Sequence, residues 1–129
     1  MHKVILMMLL VIVSSSVMAE WISVVTPVDD KLTTYADPST ISKSGNRVKM
    51  WSMVDFKEAE ELKGGVYIKS VKRQIEYDCK DKKKRLLSGE LFSGNMGSGE
   101  IISTSEKGVW IPASLGTGNI KLWNIACGK

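Results

Sequence analysis

The stretch Arg47–Phe56, RVKMWSMVDF, contains the clearest β-strand signal in the sequence. Every second position from Val48 onward lies on one face of an extended chain, and Ser52 is the one polar residue among them. The opposite face carries charge at Arg47, Lys49 and Asp55. One apolar face and one partly wet face are typical of antiparallel sheets, so this stretch predicts a strand of such a sheet.

The segments that follow predict a long hairpin. Val66–Cys79 alternates in the same way, and Cys79 shares the apolar face with Val71, Ile75 and Tyr77. Lys80–Lys84 is expected to turn the chain, and Arg85–Phe92 to return beside the first strand. Cys79 is therefore expected to point inward.

The remaining segments complete the predicted fold. Asp37-Pro38-Ser39 is expected to end a short strand, because proline has no N–H for a ladder, and the acidic Lys57–Lys63 predicts a helical turn. Helical spacing in the tail predicts a helix over Thr117–Cys127. The expected fold class is α+β, a single antiparallel β-sheet of about six strands packed with a C-terminal α-helix. Its other extended segments are Trp21–Thr26, Thr33–Ala36, Glu100–Ser103 and Trp110–Pro112.

Residues 1–19 predict a secretory signal peptide, which leaves residues 20–129 as a single exported domain. Lys3 supplies a positive start, Val4–Val13 is an apolar run, and Val17-Met18-Ala19 has modest side chains before the cleavage site. The run is too short to span a bilayer, which takes about 20 residues. No cysteine adjoins the cleavage site, so we expect a protein of the periplasm or cell surface with no lipid anchor and no transmembrane segment.

Processing of this segment gives a first testable prediction. We expect the exported protein to begin at Glu20, because the Val17-x-Ala19 pattern is what signal peptidase requires. N-terminal sequencing or intact mass measurement of the exported protein checks this. A chain that retains Lys3 would contradict both the export and the composition arguments.

Histidine usage excludes the commonest catalytic classes. The only histidine is His2, which is expected to leave with the signal peptide. Ser-His-Asp and Cys-His catalysis need an imidazole, as do most zinc sites. A carboxylate pair or a Ser-Lys pair survives this exclusion, but no spacing singles one out. We therefore expect no enzyme activity, no catalytic residues, no metal and no cofactor.

Net charge and cysteine content limit the functions that remain. Without Lys3, 17 of the 18 basic residues remain against 14 acidic ones, a net charge of +3, which does not argue for nucleic-acid binding. The two cysteines, Cys79 and Cys127, are expected to pair with each other in an oxidising compartment. A redox-active pair would instead favour Cys-x-x-Cys spacing, which is absent.

Three surface features are candidates for partner binding. The basic cluster Lys82, Lys83, Lys84 and Arg85 suits an anionic partner, although the same pattern also occurs in hairpin tips that are merely solvated. Trp51 lies on the wetter face of its strand and could contact a sugar or peptide, or be covered by the C-terminal helix. The glycine-rich Ser93–Gly99 lacks the lysine and following helix of a phosphate loop, so a sheet connection is favoured there.

The order of these segments resembles the surface-adhesin protein E-like family. The similarity covers the whole predicted domain, and its elements keep the family's order. The segments that carry it are Thr34–Ile41 (TYADPSTI), Val48–Phe56 (VKMWSMVDF), Glu76–Cys79 (EYDC), Arg85–Leu87 (RLL), Ser93–Gly97 (SGNMG) and the closing Cys127.

The resemblance implies an exported antiparallel sheet with a disulfide that ties the C-terminal helix to it. The family takes its name from a lipid-anchored adhesin that binds host matrix proteins and plasminogen. This chain lacks the lipid-attachment cysteine, and the family has no catalytic residues to transfer.

Together these observations favour a small non-enzymatic binding protein of a Gram-negative cell envelope. Its expected partner is a protein or an anionic glycan. The alternative is a periplasmic inhibitor or chaperone-like module that binds other proteins. Exposure of the protein at the cell surface would favour the first hypothesis, and retention in the periplasm the second.

Overall fold

The computed structural model describes residues 20–24, 31–116 and 119–129. The predicted signal peptide, the end of the first predicted strand and the start of the predicted helix lie outside these residues. Within them the chain forms seven strands, a 3₁₀ turn and one helix. These are β1 (Ile22–Val24), β2 (Leu32–Ser44), β3 (Arg47–Leu62), β4 (Val66–Asp78), β5 (Lys83–Phe92), the 3₁₀ turn Asn95–Gly97, β6 (Ile101–Ser105), β7 (Ile111–Pro112) and α1 (Asn119–Cys127).

The described strands form one antiparallel sheet, which confirms the predicted fold class. The order in the sheet is β1-β2-β3-β4-β5-β6, the order in the sequence, and the two-residue β7 pairs with the start of β5. At the centre of the sheet, β3 and β4 pair so that Val48 lies opposite Tyr77 and Met50 lies opposite Ile75. Such neighbours share a face of the sheet, so the apolar positions of the two strands form one continuous surface.

The helix α1 covers part of this apolar surface and completes the core. Leu122, Trp123 and Ala126 of the helix are each at most 3% exposed and belong to one cluster with Val48, Met50, Ile75 and Tyr77. The indole Nε1 of Trp123 donates to the carbonyl oxygen of Asp78 at 2.9 Å, which satisfies its one polar group. Gly128, at φ +70°, ends the helix in the left-handed conformation that favours glycine.

A disulfide between Cys79 and Cys127 joins the end of β4 to the end of α1. Their Cα atoms lie 5.6 Å apart, within the ordinary range for such a bond. The predicted pairing is therefore confirmed, as is the expectation that Cys79 points inward, because it packs against the core cluster. The bond fixes the helix at the same end of the sheet where Trp123 donates to Asp78.

The second predicted strand does not end at Pro38, because β2 continues to Ser44 through an irregularity between Asp37 and Ser42. The side chain of Asp37 accepts the N–H of Ser39 at 3.1 Å, which makes a local turn within the strand. The hydroxyl of Thr40 then accepts the N–H of Trp51 at 2.9 Å. A side-chain oxygen thus replaces a missing ladder acceptor, and the strand resumes beyond the proline.

The predicted helical turn at Lys57–Lys63 is also wrong, because β3 extends to Leu62. After a bulge between Asp55 and Glu60, the pairs Glu60–Ile68 and Leu62–Val66 continue the ladder with β4. Gly64 and Gly65, at φ +85° and +75°, close the hairpin. Pairing with β4 thus outweighs the helix propensity of an acidic segment.

The disulfide generates a stability prediction. We expect Cys127→Ser to lower the free energy of unfolding by about 2–5 kcal/mol, because the unfolded chain is no longer constrained across 48 residues. Urea denaturation of the oxidised wild type and the variant measures this difference. Reduction of the wild type should reproduce the loss, and an unchanged stability in both cases would contradict the prediction.

Candidate partner-binding site

The β4–β5 turn presents lysines at one end of the sheet. The Oδ1 atom of Asp78 accepts the backbone N–H groups of Lys80 and Asp81, each at 3.0 Å, which fixes the turn. The backbone N–H of Cys79 donates to the carbonyl oxygen of Asn46 at 2.8 Å, which joins this turn to the β2–β3 turn. The two turns therefore form one surface.

This surface carries five exposed basic residues and is called the basic end below. They are Lys43, Arg47, Lys80, Lys82 and Lys83. Lys82 and Lys83 belong to the cluster that the sequence predicted. Lys43 and Arg47 join them on this surface because the β2–β3 turn lies beside the β4–β5 turn. Asp78 and Asp81 lie in the same turn, and Asp78 is occupied by backbone N–H groups. The basic residues outnumber the acidic ones on this surface.

The structure removes Lys84 and Arg85 from the exposed cluster predicted by the sequence. Lys84 is 7% exposed, and its Nζ atom donates to the carbonyl oxygen of Leu115. Arg85 forms a salt bridge with Glu76, with its Nη2 atom 2.6 Å from Oε1, and lies 4.6 Å from the centroid of the Trp110 ring. The expectation that all four residues are exposed together is wrong, because the alternation of β5 turns Lys84 onto the core-facing side.

Trp51 lies on the face opposite the helix, so the expectation that α1 covers it is wrong. Its register partner across β4 is Gln74, whereas the helix packs on the face of Met50 and Ile75. The Nζ atom of Lys72 lies 5.6 Å from the centroid of the Trp51 ring and 5.9 Å from that of the Trp21 ring. Trp51 is half-buried beside this cation, and its role in partner binding stays a prediction.

The glycine-rich Ser93–Gly99 is a connection packed against the sheet. The N–H of Met96 and the side-chain amide of Asn95 donate to Asp55 Oδ1, at 2.7 and 3.1 Å. The N–H of Gly97 donates to the hydroxyl of Ser70 at 2.8 Å. Since these donors are bound within the protein, they are not directed at an anion, which agrees with the favoured interpretation of this loop.

Two further findings concern ligands and membranes. Across residues 20–24, 31–116 and 119–129, no three His, Cys, Asp or Glu side chains come together as a metal site would require. The helix in this part of the chain is neither long nor apolar enough to cross a bilayer.

Sequence analysis missed Arg73, which joins Lys84 in a cavity on the core-facing side of the sheet. The signal was present, because Arg73 stands between Val71 and Ile75 at the same two-residue period. A cation at such a position indicates either a buried pair or a polar cavity.

The fold and surface define a class: a disulfide-bonded antiparallel sheet in sequential order, covered on one face by a C-terminal helix and basic at one end. The family model described as "Surface-adhesin protein E" matches residues 21–128. The chain therefore belongs to the surface-adhesin protein E family, as the sequence resemblance predicted. A search of curated protein sequences gives no match.

Solved structures with the same fold come from Haemophilus influenzae. The selenomethionine form of protein E is 16% identical with a TM-score of 0.63, and the match covers 88% of this chain and 90% of that one. Protein E from non-typeable Haemophilus influenzae is 17% identical with a TM-score of 0.55, covering 87% and 76%. A second crystal form of protein E is 14% identical with a TM-score of 0.58, covering 85% and 97%. At these identities the likeness shows a shared fold.

The Asp78 carboxylate generates a pH prediction for the basic end. The hydrogen bond from the Asp81 backbone is the largest cause that lowers the pKa of Asp78, and burial opposes it. The hydrogen bond from the Lys80 backbone and the charges of Arg47 and Lys83 also lower this pKa, so the net shift is downward. A carboxyl whose pKa is lower in the folded than in the unfolded state stabilises above the unfolded pKa, and this contribution is lost as pH falls through the folded pKa.

We therefore expect wild type to exceed Asp78→Asn in free energy of unfolding at neutral pH, and the difference to shrink below about pH 4. Urea denaturation of both proteins between pH 7 and pH 2 measures it. Asp81→Asn is the matched control, because it removes one negative charge from the same turn. A wild-type advantage that is equal at pH 7 and pH 2 would contradict the prediction.

Proposed function

We propose that this chain is an exported, non-enzymatic binding protein of the cell envelope, whose basic end contacts an anionic partner. The observation that carries the proposal is the family match, which spans residues 21–128. The resemblance of the chain to an adhesin family supports binding as its activity. The partner class proposed is an anionic glycan or an acidic protein surface.

The charge of the basic end supports the anionic character of the partner. Lys80, Lys82 and Lys83 lie on a turn fixed by Asp78, so their backbone positions are set before binding. Lys43 and Arg47 come from the neighbouring turn. A preformed group of cations attracts an anionic polymer at low cost in ordering, and its attraction weakens with salt.

A double charge-reversal variant, Lys82→Glu with Lys83→Glu, tests the proposal. Both side chains are exposed, and exposed substitutions change stability by about 0.5 kcal/mol or less each. Lys84 is left unchanged because it is buried. On immobilised heparin, used as an anionic glycan probe, we expect wild type to be retained, and the variant to elute at much lower salt or in the flow-through.

The matched control is Lys57→Glu with Lys63→Glu. It makes the same change in net charge with two exposed lysines near the opposite end of β3. We expect this control to elute close to wild type, since exposed charges are screened beyond about 8 Å at physiological ionic strength. Equal weakening by both variants, or an unchanged elution of the first, would contradict binding through the basic end.

A further inference from the structure

A cavity of about 290 Å³ lies between the sheet and the segment Ile111–Gly116. Its wall combines three basic residues, several hydroxyls and an apolar surface. Arg73 and Lys84 supply the charge, and Arg85 also borders the cavity but is paired with Glu76. Ile75, Leu86 and Leu122 are among the apolar side chains. The cavity is thus positive at one part and apolar at another.

The alternation of the strands places both cations on the core-facing side. Arg73 lies opposite Ser52 in β3, and Lys84 lies opposite Tyr77 in β4. The bond from Lys84 to the Leu115 carbonyl holds the segment Ile111–Gly116 over the sheet, together with a 2.9 Å bond from the Ala113 N–H to the Lys82 carbonyl. The cavity is therefore built by the fold.

The positive charge of Arg73 and Lys84 is not balanced within the described part of the chain. The salt bridge found there joins Arg85 to Glu76, and neither Arg73 nor Lys84 has a carboxylate at that distance. Glu60 and Glu61 border a neighbouring cavity that also reaches Arg73, yet neither forms a salt bridge with it. Lys84 is buried and Arg73 is half-buried, and charges removed from water are ordinarily paired, so two cations without a carboxylate at one cavity favour an anion.

The electrostatics of the two cations agree with this interpretation. Burial lowers the pKa of Lys84, and the positive charge of Arg73 lowers it further. Burial also lowers the pKa of Arg73. An anionic group between the two side chains would relieve both effects.

A hydroxyl gives a second, independent indication of a polar ligand. Thr34 is 1% exposed and lines the cavity, and its Oγ1 atom has no hydrogen-bond partner among the residues that the structure describes. A buried hydroxyl without a partner is unfavourable. A ligand carboxylate at the cavity would accept a hydrogen bond from it.

We propose that this cavity binds a small organic acid, a carboxylate carrying a short apolar chain. The carboxylate lies between Arg73 and Lys84 within reach of Thr34, and the chain lies along Ile75 and Leu122. The volume is at the lower end of ligand pockets, typically about 300–1,000 Å³, which favours a ligand of this size. This site does not depend on the basic end, so either proposal can fail without the other.

Isothermal titration calorimetry of the purified exported protein with sodium octanoate tests the proposal. We expect octanoate to bind to the wild type. Arg73→Met and Lys84→Met should each weaken the affinity for octanoate by about tenfold or more, since a hydrogen bond to a charged group contributes at least that much. The matched control is Lys49→Met. Lys49 is exposed and lies beside the core-facing Met50, on the other face of β3. Its loss should leave octanoate binding unchanged.

A third variant distinguishes loss of octanoate binding from loss of the fold. Thr34→Val conserves shape and removes the unpartnered hydroxyl, so we expect its free energy of unfolding to equal or exceed that of wild type while octanoate binds several-fold more weakly. Two other ligands separate the contribution of the carboxylate from that of the apolar chain. Octan-1-ol should bind much more weakly than octanoate, and inorganic phosphate more weakly as well.

Four outcomes would overturn the proposal. The first is that octanoate does not bind, and the second is that octan-1-ol binds as tightly as octanoate, which would indicate an apolar cavity only. The third is that phosphate binds and octanoate does not, which would indicate an inorganic anion site. The fourth is that Lys49→Met weakens the binding of octanoate as much as Lys84→Met does.

Discussion

The pairing of β3 with β4 is the constraint on which the rest of the structure depends. Their register sets Val48 beside Tyr77 and Met50 beside Ile75, and this shared apolar surface is what α1 covers. A shift of one residue would turn every one of these side chains to the other face. The disulfide from Cys79 then fixes the helix at the end of the same pair, so sheet register and helix position are set together.

The same register also builds the surface proposed to bind a partner. Because β3 begins where β4 ends, with Arg47 opposite Asp78, the β2–β3 and β4–β5 turns meet at one end of the sheet. The bond from the Cys79 N–H to the Asn46 carbonyl joins the turns. Cations from two hairpins thereby become one surface, although they are more than 30 residues apart in the sequence.

Local alternation in the sequence predicts most of the fold, and long-range pairing accounts for what it does not predict. The strands, the C-terminal helix and the Cys79–Cys127 bond follow from spacing and from cysteine content. Pro38 and Lys57–Lys63 were misinterpreted because ladder bonds, and a substitute acceptor on Thr40, outweigh local propensity. The prediction of the basic cluster was half right: alternation along β5 turns Lys84 to the core-facing side, and Arg85 is paired with Glu76 and packed on Trp110, neither of which a count of charges reveals.

The positive charges of this molecule therefore lie in two different environments. At the basic end the charge is exposed and screened by salt, so it acts through attraction to a partner outside the protein. In the cavity, Lys84 is buried and Arg73 is half-buried beside apolar side chains, which makes their charge unfavourable unless it meets an anion of complementary shape. Lys84 also bonds the Leu115 carbonyl, whereas Arg73 has no such bond in the described part of the chain, so a protein selected for stability alone would gain by replacing Arg73 with an apolar residue. The presence of Arg73 on the core-facing side is explained if the cavity holds a ligand.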